Sequence, residues 1–171
     1  MNTAAREDTR VTIRKASAKD GAAMWRLVAE SRVLDPNSPY AYLMAGNYFS
    51  ETCVVAEWEE QLIGFVTAFC LPDEPDTLFV WQIGVSEGHR GQGIGSSMLR
   101  ELLARDACRH VRYLEATVTS SNEPSKALFR RLAAEMGTAC EVKPCFPASL
   151  FPGQDHEAEW TYRIGPLHKA R

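Results

Sequence analysis

Alternating apolar and polar positions divide the chain into short strands and amphipathic helices. Apolar or β-branched runs bounded by turn residues predict strands, at Val11–Arg14, Thr52–Trp58, Gln61–Cys70, Thr77–Val85, Val111–Thr119, Cys140–Phe146 and Glu157–Ile164. Apolar residues at helical spacing predict four helices. They run from the Ser17–Asp20 capping box to about Ser31, from Pro39 to about Phe49, from about Ser97 to near Ala107, and from Ser121 or Asn122 to Met136.

The order of these elements, β-α-α-β-β-β-α-β-α-β-β, indicates the fold class. One hairpin at Glu59-Glu60 combined with βαβ crossovers predicts an α/β (α+β) domain with a mixed sheet and helices on both faces. The 171 residues suit a single domain. We expect it to span residues 11–166, after a polar, flexible leader at residues 1–10 and before a short tail at residues 167–171.

Composition and charge exclude several classes of protein. The net charge of −3, without a dense Lys/Arg stripe, argues against nucleic-acid binding. No apolar run approaches the length of a membrane span, and residues 1–10 lack the apolar centre of a signal peptide. Five cysteines without CxxC spacing predict neither a disulfide framework nor a zinc site. We therefore expect a cytoplasmic protein without a metal or a membrane partner.

A glycine-rich segment, Arg90–Ser96, joins a predicted strand to a predicted helix. Unpaired backbone N–H groups and the helix dipole make such a junction a site for anions. A Rossmann loop would have a third glycine where Ser96 stands, and a Walker A loop would need a lysine, which is absent between Ile83 and Arg100. A plain loop that starts a helix remains the alternative at this point.

The spacing Arg90-x-x-Gly93-x-Gly95 resembles the pyrophosphate loop of the GCN5-related N-acetyltransferases, which share this order of elements. The resemblance implies acetyl-CoA as co-substrate. It assigns the cofactor contacts to Ile83, Gly84, Val85, Arg90, Gly91, Gln92, Gly93, Ile94, Gly95, Ser96, Asn122 and Phe129. Phe129 departs from the family pattern, because many members have there a tyrosine that protonates the leaving thiolate.

Longer segments resemble one branch of that family, the diaminobutyrate acetyltransferases of ectoine synthesis. The segments are Leu34–Leu43, Thr52–Glu57, Pro75–Gln82, Val111–Thr119, His156–Glu159 and Tyr162–Gly165. This resemblance implies transfer of an acetyl group to the γ-amine of L-2,4-diaminobutyrate, a small diamino acid. It also implies a homodimer, which nothing in the residues themselves indicates.

Two carboxylates are the first candidates for binding and deprotonating such an amine. An alkyl ammonium has a pKa of roughly 9–10, so its conversion to the nucleophile at pH 7 costs about 4 kcal/mol and needs a proton acceptor. Asp35 opens the loop between the first two helices, where the alternative is an Asx turn. Glu115 lies within an apolar strand, where the alternative is a solvent-facing acid. The resemblance favours substrate binding by both, with proton acceptance open to either.

Aromatic and imidazole groups complete the predicted acceptor site. Trp81 precedes the glycine loop and suits either a cation–π contact or the core. Tyr40 follows Pro39 on the second helix, within reach of a substrate. His156 is a loop histidine, which the resemblance assigns to substrate binding.

Two other functions stay open on the sequence. One is an acetyltransferase for another small amine or a protein N-terminus, and the other is a non-catalytic acyl-CoA-binding module, which Phe129 would fit. None of the cysteines has the surroundings of a stable thiolate, so the sequence favours direct attack in a ternary complex over a covalent cysteine intermediate.

Overall fold

Seven strands form one mixed sheet in the computed structural model, which describes residues 10–168. The strand order is β1-β2-β3-β4-β5-β7-β6, and only β4 and β5 pair in parallel. The bounds are β1 Thr12–Lys15, β2 Val54–Trp58, β3 Gln61–Cys70, β4 Thr77–Val85, β5 Tyr113–Thr119, β6 Cys140–Phe146 and β7 Glu159–Ile164. The predicted leader, except Arg10, and the last three residues of the tail lie outside the described residues.

Four helices cover the sheet, and their first turns follow the sequence signals. The bounds are α1 Gly21–Ser31, α2 Pro39–Tyr48, α3 Ile94–Ala104 and α4 Glu123–Glu135. The capping box before α1 is formed, with the Ser17 N–H donating to Asp20 Oδ2 at 2.7 Å. Asn122 caps α4, because its Oδ1 accepts a hydrogen bond from the Ser125 N–H at 3.2 Å. Pro39 occupies the first turn of α2, where a backbone N–H would have no hydrogen-bond partner within the helix.

Two hydrophobic cores lie on opposite faces of the sheet, which confirms the prediction of helices on both sides. Helices α1 and α2 bury Met24, Val28 and Tyr42 against one face. Helices α3 and α4 bury a larger set, including Leu99 and Leu132, against the other.

Several element boundaries differ from the sequence prediction. Helix α3 begins at Ile94 rather than Ser97, because the left-handed Gly93 at φ 77° already turns the chain into the helix. It ends at Ala104 and not near Ala107, since Arg105 is extended and its guanidinium donates to the Cys53 carbonyl at 3.1 Å. A 3₁₀ turn at Asp106–Cys108 follows. Strands β5 and β7 each begin two residues later than predicted.

The parallel strands β4 and β5 separate halfway along their length. Their register runs from Thr77 opposite Tyr113 to Val80 opposite Ala116, where it ends. Residues 81–85 and 117–119 continue their strands on either side of a gap. The gap lies at the C-terminal ends of both strands, the place where open α/β sheets bind ligands.

Candidate active site

Two adjoining cavities occupy this gap and the space beside it. The cleft cavity, of about 330 Å³, lies between the separated ends of β4 and β5. The loop cavity, of about 390 Å³, lies against the glycine-rich segment Arg90–Ser96. Both are lined by Val33, Leu34, Ile83, Asn122 and Ser125. A ligand that fills the loop cavity can therefore extend into the cleft.

The loop cavity has the backbone of an anion site. Gly91 and Gly93 adopt left-handed φ values of 75° and 77°, which favour glycine. The amides of Ile94, Gly95 and Ser96 precede the Ser97 N–H, which donates to the Gly93 carbonyl at 3.0 Å. They are first-turn donors at the positive end of the helix dipole.

Polar side chains complete the loop cavity. The Ser96 hydroxyl lines it and is buried, and no hydrogen-bond partner occurs for it within the described part of the chain. A buried hydroxyl without a partner is unfavourable, so this atom suits a bound acceptor. Arg90 and Arg131 add positive charge to the lining. The Arg90 Nε also donates to the Val85 carbonyl at 3.1 Å, which ties the loop to the end of β4.

Most of the predicted cofactor residues meet at the loop cavity. It is lined by Ile83, Gly84, Val85, Arg90, Gly91, Gly93, Ile94, Gly95, Ser96 and Asn122. Gln92 is not part of this lining, and its amide donates to the Gly88 carbonyl at 3.4 Å. Phe129 lines the cleft cavity instead, as a buried side chain without a hydroxyl. Sequence reasoning missed Leu128 and Arg131, which α4 places opposite the glycines.

A charged cluster borders the cleft cavity. His156 Nε2 lies 3.2 Å from Asp35 Oδ2 and 3.9 Å from Glu159 Oε1, and its ring stacks on Phe151 at 3.7 Å between centroids. Asp35, Phe151 and Glu159 line the cavity, and His156 lies behind them. The structure thus brings together Asp35 and His156, both predicted site residues, with Glu159, which was not predicted as one.

Hydrogen bonding favours a positive charge on His156. Its Nδ1–H donates to the Glu157 carbonyl at 2.6 Å, while its Nε2 faces the Asp35 carboxylate. Both ring nitrogens therefore face acceptors, an arrangement that suits the doubly protonated ring. The carbonyl first, and then the carboxylates of Asp35 and Glu159, raise the pKa of His156 above its ordinary value.

Glu159 is the most enclosed carboxylate of the cluster, with a side chain that is 16% exposed. Burial raises the pKa of Glu159, against the opposing effects of a hydrogen bond from Thr117 and the charge of His156. Asp35, in contrast, has an 87% exposed side chain at the mouth of the loop. The enclosure and raised pKa of Glu159 make it a better proton acceptor than an ordinary exposed glutamate.

Trp81 and Tyr40 occupy different surroundings. Trp81 lines the cleft cavity, is 50% exposed, and contacts Phe69 edge-on at 6.5 Å. Tyr40 is 68% exposed on α2 and lines neither the cleft cavity nor the loop cavity. The structure brings Trp81 to the cleft and leaves Tyr40 on the surface.

Glu115 is engaged with a neighbouring strand. It lies opposite Arg163 on β7, and the two side chains form an ion pair. The Arg163 guanidinium also lies over the Tyr113 ring at 4.0 Å and 3.3 Å from a Glu74 oxygen. Glu115 lies two residues before Thr117, which does line the cleft cavity. Its predicted part in substrate binding and catalysis stays a prediction.

The described residues show neither a cluster of metal ligands nor a helix that could span a membrane. Residues 10–168 contain no group of three or more His, Cys, Asp or Glu side chains that could hold a metal ion. Within the same residues, no helix has the length and apolar character needed to cross a bilayer.

The fold agrees with comparisons to known proteins. The chain belongs to the acetyltransferase (GNAT) family, whose model matches residues 22–134. Its similar relatives include an L-2,4-diaminobutyric acid acetyltransferase from Halalkalibacterium halodurans, 59% identical over 94% of this chain and 85% of the relative. Another, from Marinococcus halophilus, is 52% identical over 91% of this chain and 90% of the relative.

Solved structures give the same result. The diaminobutyrate acetyltransferase EctA from Paenibacillus lautus, in complex with L-2,4-diaminobutyric acid and coenzyme A, superposes with a TM-score of 0.91. It is 42% identical, and the match covers 95% of this chain and 99% of that one. The ribosomal-protein-S18-alanine N-acetyltransferase from Escherichia coli, at 17% identity and a TM-score of 0.67, shares the fold. The predicted family and fold class are confirmed.

Proposed function

We propose that this protein transfers the acetyl group of acetyl-CoA to the γ-amine of L-2,4-diaminobutyrate, giving N-γ-acetyl-L-2,4-diaminobutyrate in ectoine synthesis. The observation that carries the proposal is the whole-length similarity to the EctA of P. lautus, at a TM-score of 0.91. The charged cleft cavity beside the loop cavity supports it, because it suits a small zwitterion next to a phosphate-bearing cofactor.

Acetyl-CoA takes the loop cavity in this proposal. Its pyrophosphate accepts hydrogen bonds from the first-turn amides of α3 and from the Ser96 hydroxyl, beside Arg90 and Arg131. The pantetheine follows the open edge of β4 at Ile83–Val85, where one backbone N–H polarises the thioester carbonyl. Asn122, which lines both cavities, contacts the pantetheine where it enters the cleft.

Diaminobutyrate takes the cleft cavity. Its two ammonium groups suit the carboxylates of Asp35 and Glu159, and the face of Trp81 attracts a cation. When protonated, His156 balances the acids of the cluster and attracts the α-carboxylate. Tyr40, exposed on α2, and Glu115, paired with Arg163, remain predicted substrate contacts from the resemblance.

The reaction proceeds by direct attack in the ternary complex. The γ-ammonium loses a proton to a carboxylate, and its nitrogen attacks the thioester carbonyl carbon. The C–N bond forms, the nitrogen gives up its second proton to solvent to become the neutral amide N–H, the C–S bond breaks, and the CoA thiolate leaves. Glu159 is the acceptor that the geometry favours, and Asp35 is the alternative predicted from the sequence. Phe129 has no proton to give, so either another group of the site or water protonates the thiolate.

We further propose a cytoplasmic homodimer. Four aromatic side chains, Phe49, Phe69, Phe79 and Trp81, form a continuous patch with ring centroids 5.6–6.5 Å apart. Phe49 and Trp81 are exposed, so the patch suits burial against a second subunit. Light scattering after size exclusion should give twice the 19.1 kDa chain mass. A single-chain mass across the accessible concentration range would contradict the dimer.

A thiol-release assay tests the function directly. Acetyl-CoA is offered with diaminobutyrate, ornithine, lysine and spermidine, and the product is analysed by NMR for γ- against α-acetylation. We expect turnover with diaminobutyrate and acetylation at the γ-nitrogen. Activity confined to the longer amines would overturn the proposed substrate. Binding of acetyl-CoA without turnover of any amine would instead indicate a non-catalytic module.

A further inference from the structure

A buried tyrosine connects helix α2 to the strand that borders the cleft. The Tyr42 ring is 1% exposed and packs edge-on against Phe65, at 5.9 Å and an interplanar angle of 88°. Its hydroxyl donates to Gln82 Oε1 on β4 at 2.7 Å. The ring thus belongs to the core, while the hydroxyl reaches a residue of the cleft lining.

Gln82 also forms a hydrogen bond to the loop between α1 and α2. Its Nε2 donates to the Asp35 carbonyl at 3.0 Å. Because a carbonyl only accepts, the amide nitrogen must face Asp35, which leaves Oε1 for the Tyr42 hydroxyl. The Asn37 N–H adds a hydrogen bond to the Tyr42 oxygen at 3.4 Å, and its side-chain amide donates to Gln82 Oε1 at 3.5 Å. We call this network the Tyr42–Gln82 latch.

The latch acts on the part of the loop that carries Asp35. The loop starts at Arg32, whose φ of 54° is left-handed, and the Leu34 N–H donates to the Ser31 hydroxyl at 3.1 Å. Ser31 therefore holds the beginning of the loop, and the latch holds residues 35 and 37. Asp35 then directs its exposed carboxylate towards His156 at 3.2 Å. The position of the Asp35 carboxylate therefore depends on the Asp35 backbone, whose carbonyl Gln82 holds by a hydrogen bond.

We propose that Tyr42 is a positioning residue for the amine substrate, because its hydroxyl, acting through Gln82, fixes the Asp35 loop at the edge of the cleft. The inference rests on the proposed function in one respect, namely that Asp35 binds the amine. Loss of the hydroxyl weakens binding of the amine and leaves the bound substrate reacting at its normal rate. Val33 and Leu34, the residues of this loop that line the loop cavity, are held by Ser31 rather than by the latch, so we expect binding of acetyl-CoA to be unaffected.

The variant Tyr42→Phe tests this proposal, because it removes one oxygen and keeps the ring that packs on Phe65. Removing one hydrogen bond is expected to raise KM for diaminobutyrate roughly fivefold. The values of kcat and of KM for acetyl-CoA should stay within about twofold of the wild type by the same reasoning. The matched control is Tyr48→Phe, the same change on the same helix at a 71% exposed side chain. It should behave as the wild type.

A KM for diaminobutyrate that is unchanged in Tyr42→Phe would overturn the proposal, and so would a fall in kcat at constant KM. Gln82→Met and the double variant give a second test. The effects of the two substitutions on KM for diaminobutyrate should not add, because either substitution alone breaks the same hydrogen-bond network. Additive effects would show that the two residues act separately. If the wild type acetylates a different amine, the proposed substrate is wrong, and the same comparison with that amine still tests the latch.

Discussion

The carboxylate of Asp35 and the imidazole of His156 meet at 3.2 Å although 121 residues separate them along the chain. One follows the first helix, and the other precedes the last strand. Their contact brings a left-handed turn after α1 and the irregular segment before β7 to the same rim of the cleft. Because Nδ1 of the same ring donates to the Glu157 carbonyl while Nε2 faces the Asp35 carboxylate, the contact favours the protonated imidazole.

The first prediction concerns the charge of His156. Its pKa lies above the ordinary value, so the stabilisation that protonation of His156 contributes is present at about pH 6.5 and is lost as the pH rises through the raised pKa. Replacing Asp35 by Asn removes one of the groups that raise it, and the pKa of His156 should fall. NMR titration of the imidazole Cε1–H measures this directly. Asp35→Asn should also raise KM for diaminobutyrate about tenfold, because it removes a charged partner.

The control for this titration is Asp106→Asn, at an almost fully exposed carboxylate in the turn after α3. It should leave the His156 titration unchanged. An identical His156 pKa in the wild type and in Asp35→Asn would contradict the ion pair.

The second prediction tests whether Glu159 or Glu115 accepts the proton of the amine. Glu159→Gln should lower kcat by about 100-fold, the lower end of what a general base contributes. Since the folded-state pKa of Glu159 is raised, its ionisation weakens the fold as the pH rises from the ordinary glutamate range through that pKa. Glu159→Gln should therefore be at least as thermally stable as the wild type at pH 8, and this difference should vanish at pH 4.

Glu115→Gln is the matched comparison for Glu159→Gln. It weakens the ion pair with Arg163, so it should lower the free energy of unfolding by about 1 kcal/mol and change kcat less than Glu159→Gln does. A pH–rate profile that loses its acidic limb in Glu115→Gln and keeps it in Glu159→Gln would assign the proton acceptor to Glu115 instead.

The third prediction concerns the glycine loop. Gly93 has a φ of 77° and open space where a Cβ would lie, so Gly93→Ala introduces conformational strain without a clash. An alanine in this conformation costs about 1–2 kcal/mol. Relaxation of that strain would displace the first-turn amides, so KM for acetyl-CoA should rise roughly tenfold. Gly88→Ala is the control, since Gly88 also has open space but no left-handed φ. Equal KM values in the two variants would contradict this role for Gly93.

The fourth prediction concerns proton delivery to the thiolate. Phe129→Tyr adds a hydroxyl to a ring that is 1% exposed and lies 6.5 Å from the Tyr162 ring. A buried hydroxyl without a partner should lower the free energy of unfolding by about 1–3 kcal/mol. If water already protonates the thiolate, kcat should not increase, as stopped-flow detection of the thiol can test. A marked gain in kcat would show that the wild type lacks an effective acid.

Local sequence patterns predicted the elements and the cofactor loop, because strand alternation, caps and glycine spacing are properties of neighbouring residues. They did not predict Glu159, since alternation along β7 gives its polar face the pattern of a solvent-facing strand. The separation of β4 from β5 and the segment containing Phe151 enclose that face, and both depend on distant parts of the chain. For the same reason, local sequence patterns do not predict the hydrogen bond of the Tyr42 hydroxyl. Its hydroxyl partner, Gln82, lies 40 residues away.

The early end of the β4–β5 register has a consequence for aggregation. Exposed strand edges usually lie at the rims of a sheet, where another chain can pair with them. Here two such edges face each other in the middle of the sheet, between Trp81–Val85 on one side and Thr117–Thr119 on the other. A foreign strand would have to enter between two elements already joined at Val80 and Ala116. The molecule thus keeps unpaired backbone groups available to a narrow ligand and shields them from other polypeptides.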